Sequence, residues 1–302
     1  MYDVIIIGSG PAGLTAALYT CRAKLQTLLL AGVEWGGQLM LTAEVENFPG
    51  FKEVLGPDLI DRMWKQAERF GAEFIFEDVT NVNLQSKPFR VCTDNKTFEG
   101  RSVIIATGAS AKWLGLKNET RLRGKGVSVC ATCDAAFFKD KKAIVVGGGD
   151  SAMEEALVLA KLVEEVKIVH RRSTLRASRI LQERVFNNPK IGFIWKSVIY
   201  DILGRDKVEG VKLNKIDSDE EYEIACDAVF IAIGYEPNTQ LFHDQIDMDE
   251  KGYVIVRDET MTSIEGVFAA GDVQDYRYRQ AVTAAAGGCK AALDAQRYLE
   301  VN

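Results

Sequence analysis

An α/β fold of two doubly wound, Rossmann-like units is predicted for this 302-residue chain by a glycine turn between a strand and a helix, by its recurrence, and by matched closing strands. The first turn follows Val4 to Ile7, a β-branched run. It reads Gly8-Ser9-Gly10-Pro11-Ala12-Gly13 and leads into Leu14, Ala17 and Leu18 at helical spacing, with a second apolar run at Thr27 to Leu30. The grammar returns as Ala143-Ile144-Val145-Val146, then Gly147-Gly148-Gly149-Asp150-Ser151-Ala152, a helical run through Ala160, and Val166-Lys167-Ile168-Val169. Gly8 and Leu30 stand as far apart as Gly147 and Val169, so the halves share a register. Each half closes on an apolar strand ending in glycine, Val103-Ile104-Ile105-Ala106-Thr107-Gly108 and Val229-Phe230-Ile231-Ala232-Ile233-Gly234.

After the turn Glu236-Pro237-Asn238, strands are expected around Tyr253 to Val256 and Gly266 to Ala270, and a helix from about Ala281 to Leu299. This third segment is too short for a domain and is expected to return and complete one of the two units.

Composition narrows the function classes. Hydrophobic residues at 47% and charged residues at 26% are ordinary globular usage, which excludes a disordered tail or a fibrous repeat. With 37 Lys+Arg against 43 Asp+Glu the net charge is -6, so nothing draws the chain as a whole to nucleic acid or an anionic membrane. The N-terminus carries no basic region and no apolar run approaches the ~18 residues of a membrane span; neither export nor anchoring is expected. Four of the six cysteines (Cys21, Cys92, Cys226, Cys289) are isolated, unlike a secreted disulfide framework, and a reducing, cytoplasmic setting is expected.

The glycines point to dinucleotides. In Gly8-x-Gly10-x-x-Gly13 the first permits the tight turn, the second admits a pyrophosphate against the backbone, and the third lets helix and strand pack closely. The phosphates then meet unpaired N–H groups at a helix N-terminus. About 20 residues on, where a carboxylate ordinarily holds the ribose, stands Leu30-Ala31-Gly32-Val33-Glu34; Glu34 and backbone groups are alternative ribose contacts. In the second copy Gly147-x-Gly149-x-x-Ala152 is a tolerated variant, and His170-Arg171-Arg172 occupies that position. Two guanidinium groups there, with Arg176 nearby, suit a 2′-phosphate and favour NADPH over NADH, against the plainer reading of a solvated basic face. His170 has the simpler alternative of closing the strand end.

Cys130-Ala131-Thr132-Cys133-Asp134 holds the only close pair of cysteines and lies between the two copies. Tetrahedral zinc needs four ligands, and neither a second close pair nor more than two histidines is present. A structural disulfide is disfavoured in a reducing compartment, and two reduced core thiols are the plain alternative to redox exchange. Asp134 is the nearest group able to move a proton. Its charge would raise a neighbouring thiol pKa, which argues for proton donor and acceptor over thiolate stabiliser; helix N-capping is its other role, compatible with the first. Two dinucleotide sites of different preference with a Cys-x-x-Cys between them read as a route from NADPH to a flavin to a disulfide.

These residues, together with Gly36-Gly37-Gln38-Leu39, Glu44-Val45-Glu46-Asn47-Phe48-Pro49-Gly50, Ala106-Thr107-Gly108-Ala109-Ser110, Gly271-Asp272-Val273 and Tyr278-Arg279-Gln280-Ala281, make the chain resemble the low-molecular-weight, bacterial-type thioredoxin reductases along essentially its whole length. The resemblance implies an FAD domain formed by both termini (1-112 and 244-302) with an NADPH domain carrying the redox pair (113-243) inserted between. It implies that Asp272 bonds the flavin ribityl chain, that Gln38, Asn47 and Gln280 lie near the isoalloxazine, and that Cys133 is the flavin-facing sulfur. Gly8, Gly10, Pro11, Ala12, Gly13, Gly37, Ala106, Thr107, Gly108, Gly271, Arg279 and Ala281 are the further FAD contacts expected. Gly147, Gly149, Asp150, Ser151, Ala152, His170, Arg171, Arg172 and Arg176 are those for NADPH.

A homodimer acting on thioredoxin or a thioredoxin-like protein, with no nucleic acid or membrane partner, is the implied state. A relative that reduces O2, ferredoxin or a small thiol compound is the competing expectation. The intact cysteine pair and Asp134 oppose a non-catalytic nucleotide-binding protein. The chain departs from the family pattern at Ala135, ordinarily Gly, and at Trp35 in the loop before Gly36-Gly37.

Overall fold

The strand Tyr2–Ile7 lies at the middle of a sheet because its last four residues are apolar on both faces, and such a strand is stable only when both faces are covered. In the computed structural model, which describes residues 1–302 apart from Ala43 and Asp219 and gives only the backbone of Leu41 and Glu44, it pairs in parallel with Thr27–Leu30 on one side and Thr97–Ile105 on the other. Glu73–Ile75 extends the sheet beyond Thr27–Leu30. The long strand Thr97–Ile105 serves two neighbours along one edge: its first half pairs antiparallel with Phe89–Cys92, and Val103–Ile105 pairs in parallel with Val267–Ala269. The C-terminal segment thus completes the first sheet, as its length demands.

Side-chain parity divides the apolar residues between two cores. Val4, Ile6, Leu29 and Ile104 pack under the helices Pro11–Arg22, Gly56–Arg69 and Ala281–Val301. Ile5, Ile7, Leu28, Leu30, Val103 and Ile105 face the other way, onto Val82, Phe89, Val91, Phe242 and Val254. Each fully buried Ile or Leu here contributes about 1.5–3 kcal/mol of transfer free energy.

The second sheet repeats the plan. Val127–Ser128, Ala228–Ile231, Lys142–Val146, Glu165–His170 and Ile191–Trp195 lie side by side, all parallel. Ala143, Val145, Val166, Ile168 and Phe230 face the helices Asp150–Leu159 and Arg179–Phe186. Ile144, Val146, Val169 and Val229 face an antiparallel meander of Ser197–Leu203, Gly210–Lys215 and Glu220–Ala225. Each unit is therefore Rossmann-like and three-layered.

The chain divides into one compact unit of Met1–Ser110 with Glu236–Asn302 and a second, inserted unit of Ala111–Tyr235. The second crossing lies closer to the glycine end of strand Ala228–Ile231 than the expected 243/244. Residues after Tyr235 already belong to the first unit: Asn238 bonds Thr107 and Gly108, and Phe242 is fully buried in its core. Tyr253 to Val256 is not the expected strand. Val254 and Ile255 spend their N–H groups singly, on Val273 and Asp247, so no ladder forms.

Candidate active site

In the first unit the strand Tyr2–Ile7 ends on Gly8, whose φ of +110° turns the chain sharply into the helix Pro11–Arg22. A Cβ at Gly8 would lie 2.3 Å from the Ala106 carbonyl oxygen, and one at Gly13 would lie 1.9 Å from the Gly8 oxygen. Turn, helix and closing strand touch through backbone at both places. Gly10 differs: a Cβ there would meet nothing within 4 Å. Its missing side chain leaves open ground before the N-terminus of a twelve-residue helix, with Pro11 as the first residue and no side chain capping it. Ala12 lies at the same junction, 2.9 Å from where a Gly271 Cβ would be, and Gly37 comes within 3.4 Å of the Gly10 Cα on the same measure.

Asp272 follows Gly271 at this junction. Burial raises its carboxyl from the ordinary 3.8 to about 7; the Asp275 charge adds to the shift and Arg279 opposes it. A carboxyl this desolvated is suited to accept hydrogen bonds from hydroxyl groups. Gln280 caps the helix Ala281–Val301, and its Oε1 accepts from Asn47 Nδ2 at 3.3 Å across 233 positions of sequence. Gln38 is exposed on the short 3-10 helix Gly37–Leu41. Thr107 Oγ1 donates to the Asn238 carbonyl at 2.7 Å, which holds the Ala106-Thr107-Gly108 end of the closing strand. Among the family-type residues, Glu44 has only its backbone described.

The second unit builds the same turn around Gly147, where a Cβ would lie 2.4 Å from the Ala232 oxygen, and Gly149, where one would meet nothing within 4 Å. Gly149 precedes the helix Asp150–Leu159, in which Ser151 is partly exposed and Ala152 wholly buried. His170 is buried, and its Nε2–H donates to the Thr174 carbonyl at 3.1 Å, so it closes the strand end. Burial, and then the charges of Arg176, Arg172 and Arg171, push its pKa down, with the Thr174 bond opposing. All three arginines are exposed.

Two bonds staple the arginine loop to the turn: Arg176 N–H to the Gly148 oxygen at 2.7 Å and Ser178 N–H to Asp150 Oδ1 at 2.6 Å. Asp150, expected among the nucleotide contacts, thus has one oxygen engaged in holding that loop.

Cys130 and Cys133 form a disulfide, with Cα atoms 5.3 Å apart. The pair brackets the first turn of a helix, Ala131–Asp134, in which Asp134 N–H donates to the Cys130 carbonyl at 3.1 Å. Asp134 makes no capping bond. Its Oδ2 accepts from the Ser128 hydroxyl at 2.5 Å, and Ser128 Oγ accepts the Cys130 N–H at 3.1 Å. Burial raises the Asp134 pKa and the Ser128 bond opposes the rise. The Ala131 N–H donates to Glu155 on the helix Asp150–Leu159, five residues beyond its first. Glu155 lies about one and a half turns along that helix from Asp150.

Sequence reasoning missed Ser128, Glu155, Asn238 and Ser9. Ser9 Oγ donates to the Ala31 carbonyl and accepts from the Gly36 N–H, both at 2.8 Å. Ser9 lies inside the glycine motif, and its position there is the available signal; Ser128 stands two residues before Cys130, close enough in sequence to have been considered, while Glu155 and Asn238 depend on contacts between elements distant in sequence.

Residues 2–288 match the family model described as pyridine nucleotide-disulphide oxidoreductase. A thioredoxin reductase of Rickettsia felis is 53% identical over 98% of this chain and 97% of its own length. One from Streptomyces clavuligerus is 52% identical over 98% and 94%. The crystal structure of a thioredoxin reductase from Streptococcus pyogenes superposes with a TM-score of 0.95 at 42% identity, over 100% of this chain and 99% of that one.

Proposed function

The chain belongs to the pyridine nucleotide-disulphide oxidoreductase family and, within it, to the thioredoxin reductases, and on that footing we propose a division of labour in which the first unit holds FAD, the second holds NADPH, and Cys130 and Cys133 reduce the disulfide of thioredoxin. As an NADPH-dependent flavoprotein disulfide reductase it takes FAD and NADPH as cofactors. The observation that carries the proposal is the closed Cys130–Cys133 bond beside an aspartate whose burial favours holding a proton.

The residues fit both groups. Open ground at Gly10 before a helix N-terminus receives a pyrophosphate, and the Asp272 carboxyl receives hydroxyls of a ribityl chain. Gln38, Asn47 and Gln280 would border the flavin ring, with Ala106, Thr107, Gly108, Arg279 and Ala281 near it; the Asn47–Gln280 hydrogen bond, which ties two of them together, supports this reading. Gly149 receives the second pyrophosphate, and Arg171, Arg172 and Arg176 the 2′-phosphate. When bound, FAD supplies the two-electron relay between the hydride of NADPH and the disulfide.

Opening the Cys130–Cys133 bond takes two electrons and two protons and yields two thiols. Asp134 gives a proton to the departing sulfur and recovers one when the dithiol reduces thioredoxin, whose own disulfide then leaves as two thiols. Ser128 orients the carboxyl throughout, since the same hydroxyl is fixed by the Cys130 N–H. The proposal extends to a homodimer working in the cytoplasm, on the resemblance drawn from the motifs. Among the described residues no helix is long and apolar enough to cross a membrane.

Purified protein should carry a yellow flavin that NADPH bleaches and should turn over thioredoxin. Cys133→Ser should drop thioredoxin reduction to background while slow NADPH oxidation by O2 continues. Full thioredoxin turnover in that variant would overturn the electron route.

A further inference from the structure

Between the strand Thr27–Leu30 and the 3-10 helix Gly37–Leu41 runs the segment 31–36, which holds the partly buried Trp35. In a doubly wound unit the adenosine leaves the pyrophosphate toward the end of this second strand. The segment begins at that strand end, and at its far side Gly37 lies against Gly10 of the phosphate turn. It therefore flanks the adenosine half of the FAD site.

Three ties hold it. Ser9 Oγ bonds both ends, at Ala31 and Gly36, and Asp78 Oδ1 accepts the Val33 N–H at 2.9 Å. The third tie is aromatic. Trp64, on the helix Gly56–Arg69, stacks with both Phe74 and Phe76 at 4.8 Å between centroids, and Trp35 meets it edge-on at 4.6 Å and 83°. Trp35 also meets Phe76 edge-on at 6.2 Å. Glu34, beside it, stays exposed.

We infer that Trp35, held edge-on by Trp64 and Phe76, is a positioning residue that sets how tightly this protein retains FAD, acting through the adenosine half of the cofactor. The inference rests on the first unit being the FAD unit. A loop ordered before the nucleotide arrives loses less conformational freedom on binding, and the four rings supply that order where a ribose-binding carboxylate is expected from sequence.

The test separates the two halves of the cofactor. FAD release from diluted holoenzyme is read as free-flavin fluorescence, and the flavin-stripped full chain is titrated with FAD and with FMN, which lacks the adenosine. Trp35→Ala should weaken FAD at least about tenfold and leave FMN within about twofold, while Trp35→Phe keeps FAD affinity near wild type. Asp78→Ala should move the FAD-to-FMN ratio the same way by a smaller factor, which keeps the question answerable if Trp35→Ala does not fold. Unchanged FAD affinity, or equal weakening of FAD and FMN, overturns the inference. Wild-type protein that takes up neither flavin overturns the reading of the first unit itself and this inference with it.

Discussion

In the first unit the glycine turn has a partly buried carboxyl beside it, Asp272; in the second it has three exposed guanidinium groups, Arg171, Arg172 and Arg176. The turns are otherwise built alike. Gly8 and Gly147 touch a closing-strand carbonyl, while Gly10 and Gly149 leave open ground. The difference follows from what each charge can do when desolvated. A carboxyl can keep its proton and so tolerate burial, whereas a guanidinium cannot lose its charge and stays in water until an anion arrives. The backbone thus builds two similar turns, and under the proposed division of labour the first would meet a hydroxyl-rich ligand and the second a phosphomonoester.

The largest effect expected is the pH response of Asp272. Its folded-state pKa of about 7 lies above the ordinary 3.8, so between those values the folded chain holds a proton the unfolded chain has released. Stability must then fall as pH rises through that window, by roughly 4 kcal/mol for a shift of about three units. Thermal melts of flavin-free protein from pH 4 to 7 should show this decline, and Asp272→Asn should flatten it. A variant as pH-dependent as the wild type would break the contrast between the units on the acidic side.

On the basic side, Arg171→Ala with Arg172→Ala removes two charge-assisted bonds worth about 1.5 kcal/mol each, which should raise the KM for NADPH roughly 100-fold. The KM for NADH should hardly change. Steady-state kinetics with both nucleotides checks this, and a parallel rise for the two would reduce the arginines to a solvated face.

The smallest effect tests what the units share. Gly10 and Gly149 have φ of -70° and -100°, which alanine adopts freely, and the added methyl meets no protein atom. Gly10→Ala should leave the fold intact and weaken FAD about tenfold, a crowding cost near 1.4 kcal/mol, while sparing NADPH; Gly149→Ala should do the reverse. Paired titrations of both variants decide it, and a variant that weakens both ligands would show that the cradles are not independent.

Much of this architecture was legible in the chain itself. Val4 to Ile7 and Ala143 to Val146 announced buried strands by being apolar at successive positions, and the glycines that follow announced turns by their spacing, because both signals are local. Tyr253 to Val256 departs from the expected strand for the same reason: a run of aromatic and β-branched residues reads as a strand, but pairing depends on a neighbour the local pattern does not contain. The second crossing lies at Tyr235/Glu236, earlier than the chain alone suggests, because Phe242 commits to the first core only through residues far away in sequence.

The site divided along the same line. Cys130, Cys133, Asp134 and the arginines were visible by type and position. Ser128 bridging Asp134 to the Cys130 backbone, Asn47 meeting Gln280, and Asp150 bonding the arginine loop were not. The order of chemical groups along the chain, and hence the two nucleotide turns and the sulfur pair, is set by sequence alone because each is a short-range pattern. Which carboxyl is desolvated enough to keep a proton, and which loop is pinned by Ser9, Asp78 and four aromatic rings, was decided only when distant segments packed. Burial and hydrogen-bond partnership are properties of the assembled neighbourhood, and no single stretch of chain carries them.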